Sequence, residues 1–348
     1  MSDIERRKDE HLDIVLRDEP FHARRLSGFE DIRFAHCALP ELALNDVDLG
    51  VRFLGKRMQA PILISSMTGG PARSAELNRH IAEACDELGL GFGVGSQRIA
   101  LEGRSQVGFG KDLRKLAPNA PIFANFGAAQ LNEWNGPDMA RQAVDMIEAD
   151  GLIIHLNPLQ EAVQPDGDTN WSNILARIEE VCRTSDFPVI CKEVGAGISG
   201  RVAEQLTNAG VSVIDVAGAG GTSWVAVEAA RSTSAAQRQI AEPFIDWGIP
   251  TGQAIVDVRA HCPNIPIIAS GGIRNGLDAA KAVRLGADLT GLAAGVLRSA
   301  LTDTDAIISQ LDQMISQLRI ACFCTGSRNL LQLRNVPLVA APTYVNQC

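Results

Sequence analysis

A short run of polar residues directly follows an apolar stretch near the middle of the chain. Residues 151–156 read Gly-Leu-Ile-Ile-His-Leu, typical of a buried strand, and Pro158 ends that strand because its ring removes a ladder donor. Four of the seven residues from 155 to 161 carry such polar groups: an imidazole, two side-chain amides and a carboxylate, those of His155, Asn157, Gln160 and Glu161. Such groups suit a site that grips a charged ligand, holds a metal ion and moves a proton. The plainer alternative is a capped strand with an incidental histidine, and the rest of the chain decides against it.

The composition describes a globular protein with an acidic balance. The chain has 348 residues, 46% of them hydrophobic and 21% charged, and a formal net charge of −9. This charge argues against nucleic acid as a partner. The eight cysteines form no Cys-x-x-Cys pair, and the first residues lack an apolar signal-peptide core, so we expect reduced thiols and a cytoplasmic protein. No apolar run reaches the ~20 residues that span a bilayer, so we expect no membrane association.

From Pro61 onward, an apolar stretch, a Gly-rich or polar turn and an amphipathic segment recur in that order. The eight candidate strands are residues 61–66, 90–95, 121–126, 151–156, 187–192, 212–217, 265–270 and 288–293. Apolar strands alternating with helices indicate a parallel sheet covered on both faces, and eight units predict a closed (β/α)8 TIM barrel. We expect a single domain overall, with residues 1–60 as an N-terminal extension and lead-in. Residues 61–348 then form the barrel with a C-terminal helical segment.

An open, doubly wound sheet is the alternative architecture. It predicts a Gly-x-Gly-x-x-Gly turn after the first strand, and none is present. Polar residues instead follow nearly every strand, which favours the barrel. The long connections 157–170 and 218–264 are expected to be rim loops at the carboxyl ends of the strands.

The seventh and eighth strands are followed by a candidate phosphate site. Residues 269–276 read Ala-Ser-Gly-Gly-Ile-Arg-Asn-Gly and lead into a predicted helix, and the eighth strand ends in small residues that include Ala293 and Ala294. Paired glycines let the backbone approach an oxyanion, and a helix N-terminus supplies free N–H groups. These loops are the usual phosphate site of this fold. The phosphate could belong to a sugar or nucleotide substrate or to flavin mononucleotide (FMN).

Backbone and polar side-chain groups at the other strand ends favour FMN. They are Ser66, Met67 and Thr68 after strand one, Ser96, Gln97 and Arg98 after strand two, Asn125 on strand three, Lys192 on strand five and Thr222 after strand six. A lysine on a strand buried on both faces needs an anion, because an unpaired buried ammonium is costly. Reduced flavin, which is anionic at its N1–C2=O edge, would supply that charge.

This ordered set of motifs resembles the type 2, FMN-dependent isopentenyl-diphosphate Δ-isomerases from Arg7 to about Arg328. The motifs are Arg7-Lys8-x-x-His11, Met67-Thr-Gly-Gly70, Gly95-Ser-Gln-Arg98, Asn125, His155-Leu-Asn-Pro-x-Gln-Glu161, Lys192-Glu193, Gly220-Gly-Thr222 and Ser270-Gly-Gly-Ile-Arg274. The fourth-strand motif and Gly-Ser-Gln-Arg are specific, whereas Gly-Gly-Ile-Arg is shared more widely among FMN barrels. Ala217 departs from the pattern, since many members have a serine there near the flavin phosphate.

The resemblance implies a role for each matching residue. The implied FMN contacts are Ser66, Met67, Thr68, Ser96, Asn125, Lys192, Thr222, Gly271, Gly272, Ile273, Arg274, Ala293 and Ala294. The implied substrate contacts are Arg7, Lys8, His11, Ser96, Gln97, Arg98, Asn157 and Gln160. Glu161 is the implied Mg²⁺ ligand, and His155, Gln160 and Lys192 are the implied catalytic residues. NADPH as reductant of the flavin and assembly as a homotetramer or homo-octamer are implied in the same way.

The implied reaction moves a double bond, converting isopentenyl to dimethylallyl diphosphate without net oxidation. Reduced flavin would act as acid and base, with Mg²⁺ holding the diphosphate. Two alternatives stay open: an FMN oxidoreductase of the 2-hydroxy-acid oxidase type and a flavin-binding sensor without turnover. The oxidoreductase requires a histidine base and a nearby arginine after a late strand, and residues 218–224 contain neither. The second has no use for a diphosphate held by a metal ion over a flavin.

Overall fold

A computed structural model describes residues 3–16, 27–67, 72–104 and 107–339, with side chains of the two partly described helices from Glu10 and Arg73 onward. Eight parallel strands close into a barrel in chain order, with β8 pairing β1. The strands are β1 (Ile62–Ile64), β2 (Gly91–Gly93), β3 (Ile122–Gly127), β4 (Gly151–Leu156), β5 (Val189–Glu193), β6 (Val213–Asp215), β7 (Ile267–Ser270) and β8 (Leu289–Leu292). Each overlaps one predicted strand, so the predicted (β/α)8 barrel is confirmed.

Helices surround the barrel. The α-helices are Asp3–Leu16, Ala72–Leu88, Arg98–Leu101, Asp112–Leu116, Gly136–Ile147, Pro158–Val163, Ile174–Thr184, Gly200–Asn208, Trp224–Arg231, Ala235–Ala241, Thr251–His261, Gly276–Leu285, Ala294–Thr302, Thr304–Cys324 and Leu330–Leu333. Short 3-10 helices span Leu44–Asp46, Ala128–Asn132 and Glu242–Phe244. Side-chain caps start the helices that follow β6 and β7: Ser223 Oγ accepts from Ala226 N, and Asn275 accepts from Asp278 N. Among the described residues, no helix is long and apolar enough to cross a membrane.

The barrel interior is filled with side chains. One inward-facing residue from each of seven strands joins a single apolar cluster: Leu63, Phe123, Ile153, Ile190, Val213, Ile268 and Leu289. A hairpin of Val51–Phe53 and Lys56–Met58 adds Phe53 and Met58 to the same cluster. The outward-facing strand residues pack against the helices in the larger core. The interior is therefore a packed core rather than a channel, and the ligand site lies at its rim.

The N-terminal helix Asp3–Leu16 packs on the helix Trp224–Arg231 and on the helix Ala294–Thr302. Leu12 and Ile14 are buried. The lead-in segment also joins the barrel, because Phe29 and Leu49 are buried in its outer core. The division into an extension and a single barrel domain stays a prediction.

Candidate active site

A polar layer lies directly above the apolar barrel core. Strand side chains alternate between faces, so a residue two positions after an inward-facing one points the same way. Two positions after the cluster residues stand Ser65, Asn125, His155, Lys192, Asp215, Ser270 and Gly291. All of these except Ser65 and Asp215 line one cavity of about 430 Å³. The period of the strands therefore places the candidate chemistry at the carboxyl ends of the barrel.

Most of the predicted site residues meet in this cavity. Those that line it are His11, Ser66, Met67, Ser96, Arg98, Asn125, His155, Asn157, Gln160, Glu161, Lys192, Thr222, Gly271, Gly272, Ile273, Arg274, Ala293 and Ala294. Arg7 and Lys8 lie in the helix Asp3–Leu16, and their side chains are outside the described residues. Thr68 is also outside the described residues.

Gln97 does not line the cavity. Its side chain is fully buried, donates to Ala143 O at 2.9 Å and accepts from Asn125 N at 2.9 Å. Its backbone N donates to Asn125 O at 2.8 Å. The structure thus gives Gln97 a different place from the predicted substrate contact: it ties the end of β2 to β3 and fixes the backbone of Asn125.

The loops after β6 and β7 form a tight glycine cradle. Gly271 and Gly272 adopt φ values of 96° and 76°, in the left-handed region that favours glycine. A Cβ on Gly272 would lie 2.7 Å from Gly220 O, so only a glycine allows the two backbones to approach. Arg274 Nη2 donates to Gly220 O at 3.0 Å and joins the loops further. After the neighbouring strand β8, a Cβ added to Gly295 would meet no neighbour within 4 Å.

This cradle fits the phosphate of FMN. Backbone N–H groups of the glycine loop and the start of the helix Ala294–Thr302 lie on one cavity. Ser66 Oγ, which follows β1 beside β8, is buried and has no hydrogen-bond partner in the described part of the chain. A buried hydroxyl without a partner is costly, so its presence beside a cavity indicates a polar ligand. The predicted cofactor residues therefore suit FMN, and Ala217 lines the cavity at the predicted departure.

Lys192 lies next to a buried acid of the protein on the neighbouring strand. Its Nζ donates to Glu193 O at 2.6 Å, and its strand position pairs with Asp215 on β6. Asp215 Oδ1 accepts from Ser270 Oγ at 2.6 Å. Burial raises the pKa of Asp215, opposed by the charge of Lys192 and by hydrogen bonds that include Ser270. The sequence predicted an anion for Lys192 only in the ligand. Asp215 was missed, although it stands at the inward-facing position two residues after Val213.

The loop after β4 builds a network around Glu161. Its Oε1 accepts from Asn157 Nδ2 at 2.8 Å. Its Oε2 accepts from Asp168 N at 2.8 Å and from Gln164 Nε2 at 3.3 Å. A carboxylate offers about four lone-pair sites, so Oε1 keeps capacity for a cation. The described residues contain no group of three or more His, Cys, Asp or Glu placed to hold a metal ion. A Mg²⁺ ion that takes one carboxylate here and phosphate oxygens for the rest is the arrangement that fits.

Arg98 stands beside this network between two carboxylates. Its Nε donates to Glu102 at 2.9 Å, and its Nη1 donates to Asp168 at 2.6 Å. Burial lowers the pKa of Arg98, but the hydrogen bonds and charges of Glu102 and Asp168 more than offset this and raise it. Gln130 Nε2 also donates to Asp168, at 2.8 Å. Sequence reasoning missed Gln130, Gln164 and Asp168, because each lies beyond the strand-end residues that the motifs cover.

A second network joins the N-terminal helix to Gln160. His11 Nε2 lies 3.0 Å from Glu228 Oε1, which also accepts from Gln160 Nε2 at 3.1 Å. Arg231 Nε donates to Glu228 Oε2 at 3.0 Å. Burial raises the pKa of Glu228, but the hydrogen bond and charge of His11, the bond from Gln160 and the charge of Arg231 together lower it to about 2. Glu228 was missed because a single glutamate on a helix carries no motif.

His155 completes the polar floor. Its Nδ1 lies 3.2 Å from Asn125 Oδ1, and Asn125 Nδ2 donates to Ile153 O at 3.3 Å. Because the Asn125 carbonyl accepts, this bond assigns the proton to Nδ1 of the imidazole. This bond orients His155 in the polar floor of the cavity, beside Asn157.

Comparison with known proteins identifies the family. The FMN-dependent dehydrogenase family matches residues 136–339. An isopentenyl-diphosphate delta-isomerase of Xanthobacter autotrophicus is 56% identical over 96% of this chain and 97% of its own. That of Stutzerimonas stutzeri is 57% identical over 96% of each chain. A mandelate oxidase structure with benzaldehyde is similar in fold, with a TM-score of 0.67 and 17% identity over 97% of this chain and 98% of that one. The chain therefore belongs to the family of type 2, FMN-dependent isopentenyl-diphosphate Δ-isomerases.

Proposed function

We propose that this chain interconverts isopentenyl and dimethylallyl diphosphate with reduced FMN as acid and base and with no net redox change. One observation supports this most directly: the same cavity contains a glycine cradle for the flavin phosphate and the Arg98, Asn157 and Glu161 set for a second, metal-bound anion. An oxidase of a small hydroxy acid needs the first set but not the second. The relatives named as isomerases support the same assignment.

The protein's own groups would hold the reactants as follows. Arg98 would supply a planar fork for phosphate oxygens, and Glu161 would hold a Mg²⁺ ion that offsets the charge of the diphosphate. Lys192 places a positive charge in the cavity floor, suited to an anionic ring edge. When bound, reduced FMN would supply a nitrogen-borne proton for one isoprenoid carbon and a nitrogen base for the proton that leaves another. Gln160, fixed by Glu228 at 3.1 Å, orients the isoprenoid or relays a proton.

Close alignment is required, because an unactivated alkene is a weak base. A proton donor works only when it is near, dry and aligned with the accepting carbon. The helix Asp3–Leu16 helps to exclude water, since Leu12 and Val15 line the cavity. Arg7 and Lys8 lie on the same helix, and we propose that they contact the diphosphate from this subunit or from a neighbour in a homotetramer or homo-octamer. NADPH is proposed as the reductant on the resemblance alone.

The test counts product against reductant. The enzyme is reduced once under anaerobic conditions, excess isopentenyl diphosphate is added in deuterium oxide, and products are followed by NMR. The proposal expects many turnovers per flavin, deuterium at carbon and no activity of oxidised enzyme. Product limited to one equivalent per flavin means ordinary redox chemistry and refutes the isomerase. Absence of any product, with FMN bound, leaves the sensor as the better account.

A further inference from the structure

Asp168 connects the two groups that the proposed function assigns to the diphosphate. Its backbone N donates to Glu161 Oε2 at 2.8 Å. Its carboxylate Oδ2 accepts from Arg98 Nη1 at 2.6 Å and from Gln130 Nε2 at 2.8 Å. Glu161 follows β4, Arg98 follows β2 and Gln130 follows β3. One residue therefore joins three consecutive rim loops around the candidate anion site.

The position of Asp168 is fixed by a tightly folded loop. Gly167 packs so close to Glu161 that an added Cβ would overlap the Glu161 carbonyl oxygen. Gly167 N donates to Gln164 O at 3.2 Å, and Trp171 Nε1 donates to Asp168 O at 3.0 Å. These contacts hold the backbone of Asp168 from both sides. The carboxylate is consequently a built element of the site rather than a mobile surface charge.

We propose that Asp168 is a positioning residue for anion binding, which holds the guanidinium of Arg98 in place for a bound diphosphate. This inference rests on the proposed function. A free arginine side chain would lose rotamer freedom on binding an anion, whereas a fixed one has already lost it. Arg98 carries five N–H donors, and its bonds to Glu102 and Asp168 engage Nε and Nη1. Its donor capacity therefore exceeds these two bonds, and phosphate oxygens can be bound without breaking them.

The opposing interpretation makes Asp168 a competitor. In that case the carboxylate neutralises Arg98, and an incoming anion must displace it. The two roles differ in sign. Positioning predicts that loss of the side chain weakens anion binding, while competition predicts that it strengthens binding.

The experiment compares Asp168→Ala with Asp168→Asn in FMN-loaded enzyme. The dissociation constant for inorganic diphosphate with Mg²⁺ is measured by calorimetry, and KM and kcat for isopentenyl diphosphate by turnover. Asp168→Ala should raise both the dissociation constant for diphosphate and the KM for isopentenyl diphosphate about tenfold, which corresponds to about 1.4 kcal/mol. Asp168→Asn keeps an acceptor oxygen for Arg98 and Gln130, so it should remain within about threefold of wild type. FMN affinity should be unchanged in both variants.

A double-variant cycle separates positioning from general damage. If Asp168 acts through Arg98, then Asp168→Ala should add less than twofold to the loss caused by Arg98→Ala. A merely structural role would give additive losses and a changed FMN affinity, and that result overturns the inference. Gln130→Ala is the second variant should Asp168→Ala fail to fold, because it removes the other donor to the same oxygen. It should weaken diphosphate binding about threefold, and unchanged or tighter binding overturns the inference.

The outcomes also separate this inference from the proposed function. Unchanged or tighter diphosphate binding by Asp168→Ala, with Arg98→Ala still weakened, overturns the positioning role alone. If wild type binds diphosphate in an Asp168-dependent way but does not isomerise isopentenyl diphosphate, the proposed reaction falls and the positioning role stands. If Arg98→Ala leaves diphosphate binding unchanged, the positioning role is overturned, whereas the proposed reaction is still decided by the count of product per flavin.

Discussion

The buried pair of His11 and Glu228 should hold the N-terminal helix on the barrel. Their side chains are only 8% and 1% exposed, and His11 also packs edge-on against Trp224 with ring centroids 5.3 Å apart. The pKa of Glu228 falls from 4.5 to about 2, and His11 is the largest of the causes that lower it. A shift of this size corresponds to about 3 kcal/mol. Because His11 is the first of several lowering causes, its loss should weaken helix docking by on the order of 1 to 2 kcal/mol, roughly a tenfold change in the opening equilibrium.

The change to make is His11→Ala, and the measurement is amide hydrogen exchange across Asp3–Leu16. We expect about tenfold faster exchange there and unchanged exchange in the barrel strands. The matched control is Asp13→Ala on the same helix, which removes only the exposed ion pair with Arg73 at 2.8 Å. An exposed pair contributes about 0–1 kcal/mol, so the control should stay close to wild type. If both variants exchange alike, the buried pair does not hold the helix.

The same pair predicts a dependence on pH with a definite sign. A carboxylate whose folded pKa is lowered contributes stability above its unfolded value and loses that contribution as the pH falls through the folded value. For Glu228 the window runs from about 4.5 down to about 2. Wild-type helix protection, corrected for intrinsic exchange, should therefore fall as the pH falls below 4.5. His11→Ala should show a smaller fall, and an equal fall in both proteins contradicts the assignment of the shift to His11.

Three further predictions concern the ligands. Gly272→Val should weaken FMN binding more than it lowers the melting temperature, because a Cβ there meets Gly220 O; equal FMN affinity in a folded variant contradicts the phosphate assignment. Glu161→Gln should abolish Mg²⁺-dependent turnover with an unchanged flavin spectrum, and normal magnesium dependence refutes the metal role. Arg7→Ala should raise KM with little change in kcat, since uniform phosphate contacts contribute binding. Substrate should also slow exchange in its helix, and equal rates with and without substrate contradict that contact.

The barrel was predictable because its signal is local and repeated. Each apolar run is long enough to mark a strand, and each turn carries glycine or polar residues. The strand-end residues were predictable for the same reason, since parallel strands bring their carboxyl ends to one rim. Lys192 and Asn125 needed only their position on a strand to be placed in the cavity floor.

Residues that act across the chain were not predictable in this way. Glu228 reaches Gln160 from a helix 68 positions away in sequence, and Asp168 reaches Arg98 across 70 positions. Neither lies in a repeated pattern, so only the packed structure shows the contact. Gln97 shows the opposite case. It belongs to a specific motif beside Arg98, but the turn after β2 directs its side chain away from the cavity. Backbone groups of Ala143 and Asn125 satisfy its amide there.

Lys192 in the cavity floor and the buried Asp215 on the neighbouring strand allow a last prediction about what these two groups do. Burial raises the pKa of Asp215, and a raised acid pKa lowers stability as the pH rises above its unfolded value, so this carboxylate is not kept for stability. Replacing two neighbouring buried groups of opposite charge with neutral groups of similar size is often neutral or stabilising, whereas removing one of them alone is costly. The double variant Lys192→Met with Asp215→Asn should therefore have a free energy of unfolding within about 1 kcal/mol of the wild-type value. Asp215→Asn alone should be less stable than the double variant. Turnover should be lost in the double variant, because the charge facing the anionic ring edge is gone. Thermal unfolding at pH 7 and the anaerobic turnover assay measure the two effects. A double variant that is less stable than both single variants means that the pair maintains the barrel itself, and the functional account of Lys192 then loses its support.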